Sequence, residues 1–135
     1  MKMITEIEKQ ITEIKSRDPL TEKIIACAYK VHGELGPGFN ENIYHNALKI
    51  ALEGQQLKYQ TEKSFNILFK NKNVGKLRLD LIVENKVIVE IKSVSSHMPI
   101  LFESQVLSYL KATEYKVGLL INFGNRSCHI RRLMA

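Results

Sequence analysis

Cysteine is scarce in this chain, and the two that occur, Cys27 and Cys128, lie far apart without metal-like spacing. That excludes a zinc-ribbon or finger-like centre. Cys27 falls in an apolar helical pattern and reads as a small buried residue. A disulfide between the two is not expected in a reducing compartment. Long apolar runs are missing as well: none approaches the roughly 20 residues of a membrane span. The first residues, Met1-Lys-Met-Ile-Thr-Glu-Ile-Glu8, lack the apolar core of a signal peptide. Cytoplasmic residence with no membrane partner is the resulting expectation. Repeats, low-complexity tracts and linkers are also absent.

What is present fits one globular domain. A length of 135 residues can bury a real core, and 44% hydrophobic with 25% charged residues is ordinary for such a domain. The net charge of +6 mildly favours an anionic partner. Its distribution is more telling. Lys70, Lys72, Lys76 and Arg78 crowd one hairpin, and Arg126, Arg131 and Arg132 crowd the C-terminus. Solvated faces explain most such clusters; a footprint on a phosphate backbone is the sharper reading.

Along the chain, Ile4, Ile7, Ile11 and Ile14 make a narrow apolar stripe over residues 1–17. A helix with so thin a stripe must pack on its own domain or on a second copy, which makes it the candidate homodimer surface. Asp18-Pro19 supplies an N-cap and a first-turn proline for the next helix. Leu20, Ile24, Cys27, Val31 and Leu35 are its expected buried face, and Gly36-Pro37-Gly38 ends it. A further helix runs from about Asn40 to Glu53 with Ile43, Ala47, Leu48 and Leu52 inward. From Leu57 the period becomes two. Strands are expected over 57–69 and 74–83, joined by Lys70-Asn-Lys-Asn73, and a third over 86–94. Pro99 opens another helix to about Ala112; 116–122 is a strand buried on both faces, and 127–134 an edge strand. The order gives a mixed α/β domain with helices packed on a central sheet.

Three polar residues of the second and third strands resist explanation as packing: Asp80, Glu90 and Lys92. Alternation puts Leu77, Leu79, Leu81 and Val83 on one face, with Val87, Val89 and Ile91 on the matching core face. The even-numbered residues, Asp80, Glu90 and Lys92 among them, should then look into a cleft. A three-residue turn at Glu84-Asn85-Lys86 pairs Val83 with Val87 and sets Asp80 opposite Glu90, Cβ atoms about 5 Å apart. A two-residue turn would scatter the carboxylates. Two acids so close repel each other without a cation, and Mg²⁺ with its oxygen ligands and waters would relieve them. On spacing alone, the same residues also fit an ion-paired, solvated sheet face.

Asp80 followed by Glu90-Ile-Lys92 on adjacent strands resembles the signature of the PD-(D/E)XK nuclease superfamily, with Leu79 where proline is usual. Gln105-Val-Leu-Ser-Tyr109 matches the Q-x-x-x-Y of its exonuclease-like branches, on one helix face. Upstream, Gly38, Glu41 and Tyr44 resemble the G-x-x-E-x-x-Y family assigned to this superfamily. The resemblance spans about residues 18–134. It implies a restriction-endonuclease-like core (α-β-β-β-α-β) at 18–135, with the helix of 1–17 as an addition. It also implies a Mg²⁺- or Mn²⁺-dependent nuclease acting on DNA or RNA. The alternative is a catalytically silent nuclease fold that binds nucleic acid or a protein. By that resemblance Asp80, Glu90 and the Ile91 carbonyl hold the metal, and Lys92 orients the attacking water. Glu41 completes the site, while Gln105 and Tyr109 brace it or touch a phosphate. Arg78 and Tyr44 join Tyr109 as substrate-binding candidates. His45 reads as a surface histidine and His32 as a cap on helix carbonyls.

Overall fold

The computed structural model describes residues 18–135. The N-terminal helix expected over 1–17, with its stripe and dimer surface, lies outside the described residues. The Thr21 N–H donates to the Asp18 carboxylate at 2.8 Å, and Pro19 takes the first helical position, as their residue types favour. Helix α1 (Pro19–Leu35) buries Ile24, Ile25, Cys27, Ala28 and Val31. It stops at Gly36, whose φ of 69° is easiest for glycine. Helix α2 (Glu41–Gly54) buries Tyr44, Leu48 and Leu52. Ile43, expected inside, faces solvent instead.

The strands β1 (Tyr59–Phe69), β2 (Lys72–Val83) and β3 (Val87–Lys92) follow in antiparallel order. Helix α3 (Ile100–Thr113) then crosses over to β4 (Val117–Asn122), parallel to β3, and β5 (His129–Met134) closes the antiparallel edge. The five-stranded sheet thus has the order 1-2-3-4-5. The β1–β2 connection is tighter than the four-residue loop expected from sequence. Lys70 and Asn71 both adopt positive φ, 51° and 65°, and close a two-residue turn. The third strand is shorter than expected at its far end. There the fully buried Asn122 takes over the Val94 backbone, accepting its N–H and donating to its carbonyl, each at 3.0 Å.

Both faces of the sheet are covered, so odd and even positions do not divide core from cleft. One core lies under α1 and α2, with Leu81, Val83, Val89 and Ile91. The other lies under α3, where Leu79, Ile82 and Ile88 meet Val106 and Leu110. Leu79 and Leu81 therefore fall on opposite faces, against the continuous alternation read from the sequence. The β1–β2 ladder skips the position between Lys63↔Leu79 and Thr61↔Leu81, where Glu62 sits at φ 56°. The ribbon turns over at Asp80. Gly118 and Gly124 permit two close approaches that pin this arrangement: a Cβ on Gly118 would meet Val106 at 2.6 Å, and one on Gly124 the Val94 backbone at 2.4 Å.

Candidate active site

The turn at Glu84-Asn85-Lys86 has the expected length, and its register is Val83↔Val87 and Ile82↔Ile88. Beyond Ile88 the ladder stops. β2 leaves β3 just where Asp80 and Glu90 would have been the next polar pair, and the splay opens the sheet there. The β2-facing backbone of β3 past Ile88 has no ladder partner. Asp80 is exposed at this gap, while Glu90 and Lys92 are half-buried beside it.

The electrostatics of Glu90 show which groups converge. Burial, and next the neighbouring Asp80 carboxylate, raise its carboxyl from 4.5 to about 7. Lys92 opposes that rise, and Glu41 adds to it. Four residues from three segments thus share one field. Tyr109 on α3 belongs to it too: burial and the charges of Glu90 and Asp80 hold its phenol above the usual range. The Lys92 amine stands 4.5 Å from the centroid of the Phe102 ring, a cation–π contact that fixes its approach from the α3 side.

Helix α2 supplies the opposite wall. Glu41, His45 and Lys49 recur at helical spacing and line a cleft of about 560 Å³ with Thr61, Arg78 and Asp80. Glu41, the first residue of α2, sits where a helix favours negative charge. His45 Nε2 lies 3.4 Å from the Asp80 carbonyl, so the histidine read as a surface residue borders the site. Its i+4 relation to Glu41 was the available signal. A larger groove of about 650 Å³ between α1 and α2 is lined by Ala26, Ala47, Ile50 and Ala51 and brings no carboxylate pair together.

One expected site residue, Tyr44, is placed otherwise. Tyr44 is completely buried, stacked on Phe123 with centroids 4.6 Å apart. Its hydroxyl donates to the Gly36 carbonyl and accepts the Phe39 N–H, so it clamps the loop ahead of α2 and cannot meet substrate. Ser93 donates to the Phe39 carbonyl at 2.6 Å, tying the same loop to the end of β3. Gln105 stands half-buried one turn before Tyr109 and makes no hydrogen bond to the carboxylates. His32, expected to cap its own helix, instead bonds the Asn125 carbonyl at 2.7 Å. Tyr44→Phe should cost about 1–3 kcal/mol, because it leaves two loop groups short of a partner. Urea denaturation measures this, and an unchanged midpoint would remove the clamp role.

The donor set suits a hard divalent cation. Asp80 and Glu90 offer oxygen ligands, and Glu90's carboxyl is raised first by burial and next by the Asp80 charge, both of which a cation would offset. Among the described residues no three His, Cys, Asp or Glu side chains form a metal centre alone. A cation here would therefore rely on backbone and water oxygens as well, the habit of Mg²⁺.

A mixed five-stranded sheet packed between helices is consistent with the restriction-endonuclease-like class of α/β folds. The description of the PD-(D/E)XK nuclease superfamily matches residues 18–133, and the chain belongs to that superfamily. The crystal structure of SSO0001 is similar, with a TM-score of 0.57 and 25% sequence identity. That likeness covers 70% of this chain but only 50% of SSO0001, so the chain spans about half of that protein. A comparison with curated proteins gives no match. No helix among the described residues is long and apolar enough to cross a membrane.

Proposed function

We propose that the chain is a divalent-metal-dependent nuclease that hydrolyses phosphodiester bonds in DNA or RNA. The observation that supports this best is the convergence of Asp80, Glu41 and Lys92 on Glu90 at the β2–β3 splay. Asp80, Glu90 and the Ile91 carbonyl are the residues to hold Mg²⁺ or Mn²⁺. When bound, the ion supplies Lewis-acid polarisation of the phosphate and a more acidic water. Lys92, fixed over Phe102, orients the attacking water and offsets negative charge as it grows on the phosphorane. Attack forms one P–O bond and breaks that to the leaving sugar oxygen, which takes up a proton. Glu41 faces the same water from α2. Arg78 sits on the cleft wall to receive a flanking phosphate. Tyr109 and Gln105 brace the α3 side. Gly38, Glu41 and Tyr44 fit the G-x-x-E-x-x-Y branch: Gly38 takes φ 111°, Tyr44 locks the loop, and Glu41 is delivered to the cleft.

The test is cleavage of single- and double-stranded DNA and RNA with Mg²⁺, Mn²⁺ or EDTA. Lys92→Ala, purified identically, serves as the comparison. Metal-dependent cleavage that disappears in the variant supports the reading. Activity equal in the two preparations would mark a contaminant and sink it.

A further inference from the structure

Apart from Arg78 at its base, the outer half of the β1–β2 hairpin is not needed to build the site, and its surface is unusual. β2 pairs with β3 only through Ile82 and Val83, so the ribbon from Ser64↔Arg78 to Phe69↔Lys72 projects beyond the sheet. Six strand residues at about 3.3 Å each make an arm about 20 Å long. Its root is packed: Phe65 meets Tyr115 edge-on at 6.0 Å, and Lys63 donates to the Tyr115 hydroxyl at 3.1 Å. Its tip packs on nothing comparable. Leu68, Phe69 and Val74 are 61%, 65% and 61% exposed. Val74 is the extra residue of a bulge between Ile67↔Gly75 and Leu68↔Asn73, which pushes it outward. The tip is nevertheless stiff, closed by the two-residue turn and by the Gly75 N–H donating to Asn73 Oδ1 at 2.9 Å.

Charge along the arm has one sign. From Lys63 to Leu79 there are Lys63, Lys70, Lys72, Lys76 and Arg78, and no Asp or Glu. Among the described residues none of Lys70, Lys72, Lys76 and Arg78 pairs with an acid. The row of cations runs down the ribbon to Arg78 on the cleft wall, next to Asp80.

We propose that this arm grips duplex nucleic acid, its two strands lying in a groove and its apolar tip wedged against a base step. The proposal rests on the nuclease reading of the cleft, into which the arm would lead the backbone. A two-stranded ribbon fits the roughly 12 Å major groove, and its lysines then face the phosphates on either side. The tip carries one aromatic and two aliphatic side chains. That composition suits a wedge between stacked bases better than a track of rings for successive unpaired bases. A membrane surface would also take an apolar tip with basic flanks, but would not explain cations continuing into the cleft.

Binding is measured by anisotropy in EDTA, so that no turnover is involved, using a short labelled duplex, its single strand, and phosphatidylserine vesicles. Lys70→Glu with Lys72→Glu should weaken duplex binding by about tenfold or more and lower the salt slope by about 2. Lys23→Glu with Lys30→Glu, equal in charge but placed on α1, should change it far less. Leu68→Ser with Phe69→Ser, neutral in charge, should abolish the fluorescence rise of 2-aminopurine in the duplex. The arm is overturned if the α1 pair costs as much as the tip pair. It is also overturned if single strands bind as well as duplex whatever the tip, or if vesicles are preferred. Binding through the arm without cleavage in any metal would keep the arm and reject the nuclease. Metal-dependent cleavage with wild-type binding in the tip variants would do the reverse.

Discussion

Asp80→Asn should abolish metal-dependent cleavage, by at least about a hundredfold, and leave the metal-free protein more stable. Asn has nearly the same size, and Asp80 is exposed at the splay, so no packing is lost. What disappears is a negative charge that acts on Glu90. Two acids are held together here although neither helix caps nor a described arginine pairs them. Under the proposed function that tension would serve a cation, and without one it costs stability. The gain expected in EDTA at pH 8 is up to about 1 kcal/mol. Cleavage rates and urea titrations on the same preparations decide the matter. Retained cleavage would remove Asp80 from the site; lower stability would show that its carboxylate is structural.

The second large effect is a pH dependence carried by Glu90. Its folded pKa, about 7, lies above the ordinary 4.5, so the folded protein keeps a proton that the unfolded chain releases. Between those values the native state binds more protons, and stability falls as pH rises. The contribution is fully present below about pH 4.5 and is lost once pH has passed about 7. From pH 4.5 to 8, wild type should lose about 3 kcal/mol more than Glu90→Gln, which cannot ionise. Adding Mg²⁺ at pH 8 should restore stability to wild type and much less to the variant. Denaturation curves at a series of pH values in EDTA, then with Mg²⁺, read both effects. Parallel pH profiles for the two proteins would show that Glu90 ionises normally and is not in a shared field.

Some of this was legible because it is local. Asp18 and Pro19 write a helix start in two residues, and the structure uses both. The turn at Glu84–Lys86 fixes Val83↔Val87 because the number of loop residues alone sets the parity of a hairpin. That register stops at Ile82↔Ile88, so the expected direct pairing of Asp80 with Glu90 does not form as a ladder pair. The reversal of the ribbon at Asp80 was not legible. Leu77, Leu79, Leu81 and Val83 are all apolar, and a sheet covered on both faces accepts them on either side. Nor does anything near Glu62 in sequence announce its positive φ.

The sequence by itself determined the elements, their order, and the chemical types gathered at the Asp80–Lys92 hairpin, since caps, turn length and period act over a few residues. Tertiary structure decided which of those residues share a space. Glu41 reaches Glu90's field, and His45 reaches the Asp80 carbonyl, only because α2 is laid across the splay. Tyr44, read as a substrate contact, is withdrawn to stack on Phe123, a partner supplied by the end of β4. Charge and burial act through space rather than along the chain. A carboxyl pushed up to about 7 is therefore a property of the fold, not of the letters Glu-Ile-Lys.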